Sequence, residues 1–107
     1  MKVLVIDDEQ IVLDSVSRIL TGEGYQVDTA IRSREGLGLA LSRDYDLVLT
    51  DIRMPEMGGM RILRDIKRSK PAVPVIIITG YATVQSAVQA MQLGAYNYIE
   101  KPFTPEV

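Results

Sequence analysis

Short apolar runs alternate with segments of helical periodicity along the whole chain, and that alternation leaves few folds open. The strand candidates are Lys2–Ile6, Tyr25–Ala30, Leu47–Thr50, Val75–Thr79 and Tyr96–Glu100. Helices are predicted between them. Gln10–Thr21 sets Ile11, Val12, Val16, Ile19 and Leu20 on one side, with Gly22 as its stop. Ser33 is expected to cap Arg34–Ser42, with Leu37, Ala40 and Leu41 inward. Met60–Ser69 carries Ile62, Leu63 and Ile66 inward and ends before Pro71. Val84–Leu93 shows Val84, Ala87, Val88 and Met91 at helical spacing, and Gly94 ends it. Strand–helix alternation of this kind implies an α/β domain with a parallel sheet covered on both faces.

The strands also reveal their places in the sheet. Val3–Ile6, Leu47–Leu49 and Val75–Ile78 are continuously apolar, as strands buried on both faces are. Tyr25–Thr29 alternates, and Tyr96–Ile99 is partly polar, so these two read as edges. The first, third and fourth strands between the second and fifth give the flavodoxin-like doubly wound order 2-1-3-4-5. Ligands of such sheets bind at the carboxyl ends of the strands, where the order reverses between the first and third. Asp7 and Asp8 end the first strand and Asp51 ends the third, so three carboxylates converge there. Like charges that close disfavour ionisation, and an all-oxygen cluster suits a hard cation such as Mg2+.

Composition removes other chemistries. The 107 residues suffice for one domain, and the 47% apolar share supports a real core. A net charge of −2 argues against a surface built for nucleic acid. With no Cys and no His there are no thiolate or imidazole ligands, no disulfides and no Ser-His or Cys-His catalysis. No apolar run reaches membrane-spanning length, the start lacks signal-peptide features, and a cytoplasmic home is expected.

Four strands thus end in Asp7-Asp8, Asp51, Thr79 and Lys101, a set of acids, hydroxyl and amine suited to phosphoryl transfer. The chain as a whole resembles the receiver domain of bacterial two-component response regulators. The matching residues are Val5-Ile6-Asp7-Asp8-Glu9, Thr50-Asp51-Ile52-Arg53-Met54-Pro55 with Gly58-Gly59, Ile78-Thr79-Gly80, and Tyr98-Ile99-Glu100-Lys101-Pro102-Phe103. The resemblance implies that Asp51 accepts a phosphoryl group from a sensor histidine kinase. It implies that Asp7, Asp8, Asp51 and the Arg53 backbone carbonyl arrange Mg2+, and that Lys101 pairs with the phosphate. It makes Thr79 the hydroxyl that turns toward the phosphate and Tyr98 an aromatic switch. The stretch from Thr79 to Tyr96 is similar to receivers attached to sigma-54-dependent transcription activators, which implies an ATPase and DNA-binding output domain outside this chain. The receiver itself is then expected to contact neither nucleic acid nor membrane.

Each residue taken singly has a plainer reading. Asp8 or Glu9 could serve a helix N-terminus, Asp51 could cap its own loop, Lys101 could be a surface lysine, and turn geometry alone would explain Gly58-Gly59. Their joint placement at adjacent strand ends favours a site. The chief alternative is an aspartyl-nucleophile phosphatase or phosphotransferase, but the second acid such enzymes carry two residues after the nucleophile is here Arg53. A flavin or nucleotide binder is disfavoured because Asp8-Glu9-Gln10 follows the first strand in place of a Gly-rich phosphate loop.

Further expectations concern the surface and the end of the chain. Arg61, Arg64, Lys67, Arg68 and Lys70 read as a solvated face of one helix. No charge occurs between Lys70 and Glu100, and the outer face of the fourth helix is read as Gln85, Ser86, Gln89 and Gln92, a surface suited to a partner. Receivers carry a fifth helix; Thr104-Pro105-Glu106 matches its N-cap and first turn, so the 1–107 domain is expected to lack that cover and to form a homodimer. The resemblance implies a cis Lys101–Pro102 bond. Arg53 and Tyr81, bulky and two residues after Asp51 and Thr79, predict slow dephosphorylation.

Overall fold

The computed structural model describes residues 1–55, 57–80 and 82–101. In chain order its elements are β1 (Lys2–Ile6), α1 (Gln10–Gly22), β2 (Gln26–Ala30), α2 (Ser33–Ser42), β3 (Leu47–Thr50), α3 (Gly59–Ser69), β4 (Val75–Thr79), α4 (Val84–Gln92) and β5 (Asn97–Glu100). All pairings are parallel and the strand order is β2-β1-β3-β4-β5, as the hydrophobic runs predict. Tyr81, the Lys101–Pro102 bond and the expected start of a fifth helix at Thr104 lie outside the described residues.

Side-chain alternation along the strands divides the core into two layers. Leu4, Ile6, Val48, Val75 and Ile77 pack with Ala40, Ile62, Leu63, Ile66 and Ala90 of α2, α3 and α4. Val3, Val5, Leu49 and Ile78 face the other way, where Leu13 and Val16 of α1 cover them. Continuous apolar runs were required because β1, β3 and β4 feed both layers at once.

The helix faces differ from the sequence expectation in several places. Ile11 is 72% exposed, and Leu13 takes the inward position. Residues 11 to 13 are all apolar, so periodicity does not say which edge of that arc meets the sheet. Gly22 lies within α1; the left-handed turn that ends the helix falls to Gly24, at φ 93°. Ser33 is the first residue of α2, not its cap, and its buried hydroxyl has no hydrogen-bond partner among the described residues. Leu41 is exposed, and Gly36 is buried in its place. A Cβ on Gly36 would stand 2.6 Å from Cγ1 of Ile6, so only glycine lets α2 approach β1 this closely.

The largest difference is in α4. Its larger apolar residues Val84 (83% exposed), Val88 and Met91 point outward, while Ala90 is fully buried. Small residues on the inner side let the helix lie close to β5, and that closeness turns the bulkier stripe to solvent. Ser86, expected on the outer face, is half-buried toward β5. Thr83 caps the helix: its Oγ1 accepts from the Ser86 amide at 3.0 Å, and the Ser86 hydroxyl reciprocates from the Thr83 amide at 3.2 Å.

Candidate functional site

The register that pairs Ile6 with Thr50 delivers Asp7 and Asp51 side by side at the carboxyl ends of β1 and β3. Both carboxylates are buried. The Asp51 amide donates to the Ile6 carbonyl at 3.1 Å, and the Asp7 amide to the Ala30 carbonyl at 3.1 Å. The backbone ladder, continued one residue beyond each strand, therefore sets the pair.

The two oxygens of Asp51 have different surroundings. Oδ1 accepts from the Ile52 amide at 2.6 Å and the Arg53 amide at 3.4 Å. Oδ2 faces the Lys101 ammonium at 2.9 Å. Lys101 Nζ also lies 2.9 Å from Asp7 Oδ2 and 3.3 Å from Glu9 Oε1. Its position comes from β5, where the Lys101 amide donates to the Thr79 carbonyl at 2.9 Å. Asp7 Oδ1 accepts from the Glu9 amide at 3.0 Å.

Burial and charge compete here. Burial pushes the Asp7 carboxyl above its ordinary value, and the nearby Lys101 only partly offsets that. Burial alone would draw a proton off Lys101, but the Asp51 and Asp7 carboxylates outweigh it and hold the ammonium well above the ordinary lysine value. Carboxylate oxygens of Asp7, Asp8, Glu9 and Asp51 all lie within 4.8 Å of one another. This all-oxygen donor set fits a hard divalent cation. Glu9 reads from sequence as a helix-terminus acid and as part of the Asp7-Asp8-Glu9 motif, with no role of its own in the site; at the α1 N-cap it makes no side-chain cap bond, and its carboxylate lies 3.3 Å from Lys101 Nζ.

Asp8 is exposed and shares an open cleft of about 330 Å³ with Ile52, Arg53, Met54 and Pro55. The Arg53 backbone is thus near Asp8, on the loop whose amides hold Asp51. Thr79 is fully buried at the end of β4. Tyr98 stands apart from the carboxylates: its hydroxyl is 2.6 Å from Ser86 Oγ on α4. Gly59 needs a different account from the turn geometry expected of it, since neither Gly58 nor Gly59 has a positive φ. A Cβ on Gly59 would stand 1.9 Å from the Asp51 carbonyl oxygen. Glycine is required there because α3 begins against the backbone of the site residue itself.

Comparison with known proteins identifies the fold and the family. A family profile described as the response regulator receiver domain matches residues 3–107. The transcriptional regulatory protein ZraR of Escherichia coli O157:H7 is 42% identical over 100 residues, covering 94% of this chain and 23% of that protein. A receiver domain structure from Clostridium thermocellum is 42% identical with a TM-score of 0.92, covering 98% of this chain and 85% of that one. The beryllofluoride-activated NtrC4 receiver domain dimer is 40% identical with a TM-score of 0.92, covering 98% and 87%. The chain spans less than half the length of the curated relatives it matches, from 22% to 44%. No helix among the described residues is long and apolar enough to cross a membrane.

Proposed function

The chain belongs to the response regulator receiver domain family, and on that premise we propose that Asp51 accepts a phosphoryl group from a sensor histidine kinase and thereby controls an attached output domain. The observation that carries this reading is the asymmetry of Asp51. Two backbone amides hold Oδ1, leaving Oδ2 toward Lys101 as the oxygen placed to react. Oδ2 attacks the phosphorus of a phosphohistidine. The P–N bond breaks, the imidazole leaves with its electron pair, and an aspartyl phosphate remains.

Asp7, Asp8, Asp51 and the Arg53 carbonyl would hold Mg2+, which when bound would neutralise charge on the phosphoryl oxygens. Lys101 is placed to transfer its ion pair from the Asp51 carboxylate to a phosphoryl oxygen. Thr79, at the adjoining strand end, would supply a hydroxyl to another, and Tyr98 would follow as the switch. An ATPase and DNA-binding output domain, a homodimeric active form and a cytoplasmic location complete the proposal. The likeness to a transcriptional regulatory protein, ZraR, supports an output domain that regulates transcription, and the NtrC4 receiver dimer supports the homodimer. The phosphatase alternative is weaker, because the position two residues after Asp51 is Arg53, not an acid.

Incubation with acetyl phosphate and Mg2+ is expected to add one phosphoryl group by intact mass, and Asp51→Asn to abolish it. Labelling that persists in that variant would overturn the assignment.

A further inference from the structure

The Ser86 hydroxyl on α4 and the Tyr98 phenol on β5 lie 2.6 Å apart. We propose that this hydrogen bond is a latch between the phosphoryl site and the exposed face of α4, with Ser86 as the residue that positions Tyr98. The proposal rests on the reading of Asp51 as phosphoacceptor.

The latch closes a ring. At one end the Lys101 amide donates to the Thr79 carbonyl at 2.9 Å, joining the two strand ends that border the carboxylates. Thr83, which caps α4, follows Thr79 by four residues, and Tyr98 precedes Lys101 by three. At the far end Ser86 and Tyr98 join the same two segments again. A shift of Thr79 or Lys101 toward a phosphoryl group on Asp51 is therefore transmitted to the hydroxyl pair. The near closure is a backbone bond continuing a parallel ladder. The far closure is a single bond between neutral hydroxyls, the weaker of the two and the one that yields.

Ser86 is crowded in a way that suits release. Its hydroxyl bonds the Thr83 carbonyl at 3.1 Å, and lies 2.9 Å from Thr83 Oγ1 and 3.2 Å from the Thr83 amide. A hydroxyl has one proton to give and two lone pairs to accept with. Where that proton serves the Thr83 carbonyl, Tyr98 is the donor and competes with Thr83 for the lone pairs. Loss of the Tyr98 bond thus leaves the capping box satisfied. Tyr98 is only partly buried against the core, so its ring can turn when freed. The stripe that would feel this, Val84 and Val88, begins in the same helical turn as Ser86.

The test compares wild type, Ser86→Ala, Tyr98→Phe and the double variant. Labelling rates with acetyl phosphate and Mg2+ are followed by intact mass, and hydrogen exchange is followed over residues 83–88. Each single variant is expected to label about three- to fivefold faster, the worth of one neutral hydrogen bond. Exchange in the first turn of α4 should rise with it. The double variant should label no faster than Ser86→Ala alone, because the Tyr98 bond is already gone in that background. Tyr98→Phe keeps the ring, so the test survives a poorly folding Ser86→Ala. Faster exchange with unchanged labelling would reduce the bond to a structural tie and overturn the latch, as would additive effects. A wild-type chain that takes no label would instead overturn the Asp51 reading, and the latch with it.

Discussion

Lys101 and Asp51, 50 residues apart in sequence, meet as an ion pair at 2.9 Å, and Lys101 spans equally to Asp7. The lysine thus neutralises the charges that a bound cation would also neutralise. Removing it leaves two buried carboxylates without their counter-ion. Lys101→Ala should therefore cost about 3 kcal/mol in metal-free buffer, the low end for breaking a buried pair. Mg2+ should restore more stability in this variant than in wild type, since it then faces no competing cation. Thermal melts with and without Mg2+ check both. A smaller Mg2+ effect in the variant would show that the lysine and the ion do not share these carboxylates.

The pH dependence of metal-free stability follows from Asp7. Burial raises its folded value above 3.8, so between 3.8 and that value the folded chain holds the proton more tightly than the unfolded chain does. Stability from this group is present at acid pH and falls as pH rises through the folded value. Asp7→Asn should flatten the decline above about pH 4, and should raise Tm at neutrality. Lys101, raised in the folded state, contributes at every pH in that window and loses its contribution only above 10.5. Melts in chelator across the window check this; parallel curves for the two proteins would refute it.

These predictions separate what the residue pattern specifies from what it leaves open. Val3–Ile6, Leu47–Leu49 and Val75–Ile78 specify buried strands because alternation is absent, and strand order places Asp7, Asp8, Asp51 and Lys101 together. Helix orientation is less determined. In α4 the apolar period is real, but the small Ala90 wins the sheet side because it allows closer approach, and Val84, Val88 and Met91 turn outward. Glu9 and Ser86 were not legible as participants, since their roles depend on where a side chain turns at a helix start. Gly59 carried a signal of another kind: a glycine with no positive φ marks a close approach, here to Asp51.

Gly59→Ala is accordingly expected to damage both fold and site. Its Cβ would meet the Asp51 carbonyl at 1.9 Å, and no flexible side chain is available to yield. Either α3 or the Asp51 loop must shift, at about 3 kcal/mol by analogy with overpacked cores. Labelling with acetyl phosphate should fall with it. Gly58→Ala is the control, because a Cβ there meets the Ile52 carbonyl at 3.5 Å, ordinary contact. Equal denaturation midpoints for the two variants would show that the site tolerates the displacement.

Mg2+ should raise the Tm of the wild-type chain by binding only the folded state. Asp8 is exposed beside the buried pair, so its loss leaves the metal-free fold nearly intact while removing one ligand. Asp8→Ala should cut the Mg2+-dependent rise in Tm with little change in metal-free Tm. An unchanged rise would place the ion elsewhere.

The exposed stripe of α4 bears on assembly. Val84, Val88 and Met91 recur at spacings of four and three residues, a straight seam along one helix face, and exposed Tyr96 follows the helix. No charge occurs from residue 71 to residue 99, so two copies can bring this face together without opposing like charges. A two-fold contact makes each residue of the seam count twice. Val88, near its middle, is the position where a charge costs most. Val88→Asp should weaken self-association on the order of tenfold or more, read as a sedimentation shift at micromolar concentration. Asp51 should still take one phosphoryl group from acetyl phosphate, because Val88 is not among the clustered carboxylates. If wild type and variant sediment alike, with and without acetyl phosphate and Mg2+, then α4 does not form the contact between copies. Its apolar stripe would then have to be read as a surface for a different partner.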